Sequence, residues 1–263
     1  DATPAPLRTS LTWRLHLRSC RYIRLYTPMN RAQLIVALDV PTGDLIGPIV
    51  DRLPDELTWY KVGLELFLNE GPAALQPLRE RGKQIFLDLK LHDIPRTVAR
   101  AVAAAARHDV GLLTTHAAGG PDMLRAAADA AGEADDRLKL LAVTTLTSLG
   151  QGDLPRLGIT RPLKEHTLEL GRMAVANGID GLVCSVHEAG DFRHALGPDP
   201  LLVTPGIRPA HAAVGDQKRV ATPADAVRAG AGFLVVGRPI VQAADPAAAA
   251  AAILREMTEA QAS

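Results

Sequence analysis

Residues 84–98 read Gln-Ile-Phe-Leu-Asp-Leu-Lys-Leu-His-Asp-Ile-Pro-Arg-Thr-Val, an apolar run that ends in Asp88, Lys90 and Asp93. Side chains alternate faces along a strand, so Ile85, Leu87 and Leu89 would share one side and Phe86, Asp88 and Lys90 the other. An aspartate and a lysine set beside an apolar run are costly unless paired. Two readings follow. The plain one is an edge-strand ion pair, with Asp93 capping a helix that starts near Ile94-Pro95. The chemical one is a catalytic Asp-Lys-Asp cluster at the C-terminal end of a strand.

Other apolar runs also end in polar residues. Asp39 follows Leu34-Ile-Val-Ala-Leu, and Lys61 follows Thr58-Trp-Tyr. His116 precedes Ala-Ala-Gly-Gly, and Thr144, Thr145, Thr147 and Ser148 close another run. Arg208 lies in Thr204-Pro-Gly-Ile-Arg-Pro, and Gly237-Arg238 ends the last run. Any one of these serves as a cap or turn, but capping alone explains their recurrence poorly. The chain has six lysines against twenty-three arginines. Lysines at run ends, Lys61 and Lys90, therefore hint at a need for a compact or titratable ammonium.

Val235-Val-Gly-Arg-Pro-Ile has the composition of an anion site. Its glycine lets backbone N–H groups approach closely, and a helix starting there adds a favourable dipole. Arg238 offers a forked donor. The preceding loop carries Gly206-Ile-Arg208 and Gln217. The alternative is a Gly-Arg turn with a surface arginine. His211, in the same loop, reads as a solvated residue.

The elements that must position these residues alternate. Strand-like runs fall at 34–39, 58–63, 84–90, 111–116, 138–145, 181–186, 201–204 and 232–236. Helix-compatible segments fall at 64–80, 96–108, 121–131, 164–177, 187–195, 223–229 and 245–259. Repeated strand–helix units imply a parallel sheet, and eight at this length predict an α/β fold, the (β/α)8 TIM barrel. A doubly wound open sheet is the alternative. It expects a GxGxxG turn after the first strand, which Val40-Pro-Thr-Gly-Asp does not supply. In a barrel the C-terminal strand ends carry chemistry, and the loops after strands seven and eight bind phosphate.

Composition bounds the rest. With 263 residues and 47% hydrophobic, the chain can bury a large core. Residues 1–28 carry Arg8, Arg14, Arg18, Arg21 and Arg24 against Asp1, a net of +4, whereas the whole chain is neutral. The remainder is then about −4, which argues against a general nucleic-acid binder. Residues 1–28 lack a clean apolar segment of the signal-peptide kind and read as an extension outside the fold. The barrel domain is expected over 29–263. Cys20 and Cys184 form no metal or disulfide spacing, and Cys184 reads as a buried thiol. No apolar stretch is long enough to span a membrane, so a reducing cytoplasm is the expected setting.

Taken together, these motifs resemble the orotidine 5′-phosphate decarboxylase family in its bacterial form. The resemblance covers residues 33 to about 255 and rests on eight motifs. They are Ala37-Leu-Asp39, Lys61-Val-Gly-Leu-Glu-Leu-Phe67, Asp88-Leu-Lys-Leu-His-Asp-Ile-Pro95 with Thr97, and His116-Ala-Ala-Gly-Gly120. Val143-Thr-Thr-Leu-Thr-Ser148, Pro205-Gly-Ile-Arg208, Gly215-Asp-Gln217 and Val236-Gly-Arg238 complete the set. Arg96 stands where asparagine is frequent, and no role is assigned to it. The resemblance implies cofactor-independent decarboxylation of orotidine 5′-phosphate to UMP. Asp39 and Lys61 would contact the ribose hydroxyls, with Lys61 also joining the charged cluster. Asp88 would face the substrate carboxylate, and Lys90 would protonate C6. Thr147 would hydrogen-bond the pyrimidine. Arg208, Gln217, Gly237 and Arg238 would hold the 5′-phosphate. Asp93 and Thr97 would serve the neighbouring subunit's site in a homodimer.

Two rivals remain at this level. Related sugar-phosphate decarboxylases and aldolases share the barrel and the Asp-x-Lys-x-x-Asp pattern but use magnesium to stabilise an enediolate. Asp-Ile-Pro after the lysine and the Leu-Thr-Ser turn favour the pyrimidine enzyme. A non-catalytic phosphate-ligand sensor on the same barrel would be expected to lose Lys90 or Asp88 first.

Overall fold

The computed structural model describes residues 31–134, 137–209 and 221–262. Eight parallel strands close into a barrel in sequence order. They are β1 (Gln33–Leu38), β2 (Trp59–Gly63), β3 (Gln84–Leu91) and β4 (Leu112–His116), then β5 (Lys139–Val143), β6 (Gly181–Val183), β7 (Leu201–Thr204) and β8 (Phe233–Val236). β1 bonds both β2 and β8, which removes every sheet edge. The fold is the expected (β/α)8 barrel, and the open sheet is set aside.

Helices follow the strands: α1 (Ile46–Val50), α2 (Leu64–Glu70), α3 (Gln76–Glu80), α4 (Pro95–Ala106) and α5 (Pro121–Ala134). Then come α6 (Leu163–Ala176), α7 (Val186–Leu196), α8 (Pro223–Arg228), α9 (Arg238–Val241) and α10 (Pro246–Ala262). Strands with helices outside and packed side chains inside are buried on both faces, which is why they read as near-continuous apolar runs. Ile35, Phe86, Leu112, Leu141, Val203 and Phe233 fill the barrel. Their strand neighbours Leu34, Val36, Ile85, Leu87 and Leu113 face outward into a second layer. There they meet helix residues such as Val98 and Val102 of α4, spaced four apart on one face. Cys184 lies buried in this layer, and burial pushes its thiol well above the ordinary range.

The elements differ from expectation at a few points. The single helix expected over 64–80 is split into α2, a 3-10 turn at Gly71–Leu75, and α3. Gly71 takes φ +59, and Pro72 has no N–H to continue the α-helical ladder. β6 is shorter than expected because Ser185 already caps α7, with its N–H donating to Glu188 Oε2 at 2.8 Å. The short helices α1 and α9 were not anticipated. The expectation for residues 1–28, and those for His211 and Gln217, fall outside the described residues.

Candidate active site

The end of β3 is irregular. Leu87 pairs with Leu113, and the next pair is Leu91 with Thr115. Four steps along β3 therefore match two along β4, so the chain bulges between Asp88 and Lys90. Lys90 takes φ +52, a left-handed backbone that costs a non-glycine residue about 1–3 kcal/mol. Because the bulge adds an even number of residues, Asp88 and Lys90 still share the inner face with Phe86, and all three line one cavity.

The charges there form an alternating chain. Lys61 Nζ lies 2.9 Å from Asp39 Oδ1 and 3.7 Å from Asp88 Oδ2. Lys90 Nζ donates to both oxygens of Asp88 at 2.8 Å. Asp88 and Lys61 are 13% and 12% exposed, whereas Asp39 is 57% and Lys90 32% exposed, so water reaches the chain at its two ends. Burial alone would raise the Asp88 carboxyl. Lys61, Lys90 and the Thr114 hydroxyl outweigh that and hold it below the usual carboxylate range. Asp88 is thus ionised at neutral pH, and each carboxylate faces an ammonium. His116 ends β4 with its ring centroid 5.4 Å from that of His92. Burial, then His92 and Lys90, lower its proton affinity, while Asp88 opposes them.

The cavity occupies about 290 Å³ at the C-terminal ends of the strands. Asp39, Lys61, Asp88 and Lys90 form one wall, and Thr147 and Leu146 stand on the loop after β5. Gly206, Arg208, Gly237 and Arg238, on the loops after β7 and β8, complete it. Arg208 Nε is buried without a hydrogen-bond partner among the described residues. A donor left so is costly unless a ligand supplies the acceptor. At the opposite mouth, Lys139 and Arg137 pair locally with Asp180 and Asp109, at 3.2 and 3.4 Å. The arrangement at the C-terminal mouth can hold an anion at one side and a developing negative charge at the other, beside Lys90.

The cavity thus brings together Asp39, Lys61, Asp88, Lys90, Thr147, Arg208, Gly237 and Arg238. Asp93 and Thr97 do not line it. Both are exposed, and Asp93 Oδ1 accepts the N–H of Ile94 at 2.6 Å. Arg96 is exposed at the start of α4. Two residues escaped the sequence reading. Gly63 is one: a Cβ there would stand 3.0 Å from Lys61 Nζ and 3.6 Å from Asp39 Oδ1. Its spacing from Lys61, two positions along one strand face, was the available signal. The other is Thr114, whose hydroxyl donates to Asp88 Oδ1 at 2.9 Å from within an apolar run that gave no signal.

Residues 32–253 match the family described as orotidine 5′-phosphate decarboxylase / HUMPS. An orotidine 5′-phosphate decarboxylase from Anaeromyxobacter dehalogenans is 52% identical over 221 residues, covering 84% of this chain and 96% of its own. One from Idiomarina loihiensis is 46% identical over 231 residues, covering 88% of this chain and 100% of its own. The crystal structure of orotidine 5′-phosphate decarboxylase from Lactobacillus acidophilus matches with TM-score 0.77 at 40% identity, covering 86% of this chain and 99% of that one.

Proposed function

This chain belongs to the orotidine 5′-phosphate decarboxylase / HUMPS family and decarboxylates orotidine 5′-phosphate to UMP in pyrimidine biosynthesis, and from that premise we propose how its own residues do so. The observation that carries the proposal is the Lys90 ammonium, fixed 2.8 Å from both oxygens of a largely buried Asp88 on the cavity wall. Loss of carbon dioxide from C6 leaves an electron pair in the plane of the ring, where the π system cannot delocalise it. Stabilisation must then come from a preorganised charge. Lys90 supplies it and passes an Nζ proton to C6, then regains one from solvent. The substrate carboxylate lies beside Asp88, and their repulsion falls as carbon dioxide departs.

The remaining roles follow the substrate outward. Thr147 meets the pyrimidine, and Asp39 and Lys61 meet the ribose hydroxyls. Arg208, Gly237, Arg238 and Gln217 hold the 5′-phosphate, a reading supported by the orphaned Arg208 Nε. That remote grip supplies binding energy for orienting the ring. Asp93 and Thr97 act in the neighbouring pocket of a homodimer, which fits their exposure outside their own cavity. Ile94, beside Asp93 and 67% exposed, is a residue that such a contact would bury. No helix among the described residues is long and apolar enough to cross a membrane, and the proposed setting is the cytoplasm.

Lys90→Ala tests the central role. Turnover should nearly vanish while UMP binding and melting temperature persist. A variant that keeps more than about a tenth of the activity, a loss under ~1.4 kcal/mol, would rule out Lys90 as the key acid.

A further inference from the structure

We propose that Thr114 is the positioning residue that holds Lys90 at the reacting carbon, an inference that rests on Lys90 being the proton donor. Thr114 lies on β4 and is fully buried, with 0% exposure. It does not line the cavity and stands behind Asp88 and Lys90, which do. Its Oγ1 accepts the backbone N–H of Lys90 at 2.9 Å and donates to Asp88 Oδ1 at 2.9 Å. Lys90 Nζ returns to the same Asp88 oxygen at 2.8 Å. One hydroxyl therefore closes a ring through the backbone, the ammonium and the carboxylate.

The bulge explains why such a group is needed. With φ +52, the Lys90 N–H leaves the regular β3–β4 ladder, and a buried backbone donor must find another acceptor. The group that accepts it must also satisfy the carboxylate beside it. A hydroxyl does both at one atom, and an alkyl group does neither. Thr115 secures the far side of the bulge, donating to the Leu91 carbonyl at 2.8 Å where regular pairing resumes. Thr114 thus fixes the left-handed backbone that aims the lysine and the carboxylate that anchors its ammonium.

The test compares Thr114→Val, which keeps the shape and removes the hydroxyl, with Thr114→Ser, which keeps the hydroxyl. Both are measured for kcat, KM, UMP affinity and melting temperature, with Lys90→Ala in parallel. Thr114→Val should lower kcat about 10- to 100-fold, the effect of losing one hydrogen bond to a charged group, with UMP affinity changed less than about threefold. Thr114→Ser should recover kcat to within about threefold of the parent, because the bonding atom is retained. If Thr114→Val does not fold, Thr114→Ala against Thr114→Ser poses the same comparison with less crowding. A hydroxyl-free variant with undiminished kcat would overturn the proposal. So would a serine variant as impaired as valine, or a fall in kcat matched by an equal fall in UMP affinity. An active Lys90→Ala enzyme would remove the parent reading and this one with it. An inactive one beside an unimpaired Thr114→Val would remove only the role of Thr114.

Discussion

Asp88 keeps its charge in a nearly dry site because two ammoniums and a hydroxyl face it, and their combined pull exceeds the penalty of burial. His116, close by, shows the opposite balance. Burial, His92 and Lys90 lower its proton affinity below the ordinary value of 6.5. Below that pH the unfolded chain takes up a proton that the folded chain refuses. The stability contributed by neutral His116 is therefore full above 6.5 and is lost as pH falls through 6.5 toward the lowered value. Melting temperature should fall as pH drops below 6.5, and that of His116→Gln should fall less steeply over the same range. Equal slopes in thermal melts of the two proteins would contradict this. At this scale the sequence was informative where chemistry is unusual: Asp88, Lys90 and Arg208 are charges set against apolar runs. Thr114 was not legible, because a threonine in Leu112-Leu-Thr-Thr-His looks like any strand residue.

The strands and helices that position the site were largely legible, since alternation of apolar runs with helical periods leaves few parallel-sheet solutions. The β3 bulge was not. An even insertion preserves which side chains face inward, so a bulged strand and a regular one share the same pattern. The break in the helix over 64–80 had a signal in Gly71-Pro72. Gly63, the last residue of β2, carries an element-scale consequence. Gly63→Ala would bring a methyl group to 3.0 Å from Lys61 Nζ. The flexible lysine can yield by the few tenths of an ångström needed, so the fold should tolerate it, with the ammonium nudged off its place between Asp39 and Asp88. We expect kcat/KM to fall roughly threefold to tenfold, less than a misplacement of about 1 Å would cost, with little change in melting temperature. Steady-state kinetics with activity within twofold of the parent would count against that role for Gly63.

At the scale of the whole molecule, neither Asp93 nor Thr97 lines the cavity of its own barrel, and in the proposed homodimer a second copy would complete each pocket. Lys90→Ala and Asp93→Ala proteins, each expected to be inactive alone, can be unfolded together in equal amounts and refolded. Half the dimers would be mixed, each with one intact pocket, and roughly a quarter of the parent activity should return from closed two-fold pairing. No recovery, with mixed dimers verified by native mass spectrometry, would mean that each pocket is built from a single chain. In the proposed mechanism, fixed charges alone, with Lys90 at their centre, carry the decarboxylation. The most direct test is the absorbance of orotidine 5′-phosphate on adding the purified protein in excess EDTA. The substrate absorbance should be lost at the same rate with and without the chelator, with UMP as product. A protein that turns over orotidine 5′-phosphate only when magnesium is restored would contradict that mechanism.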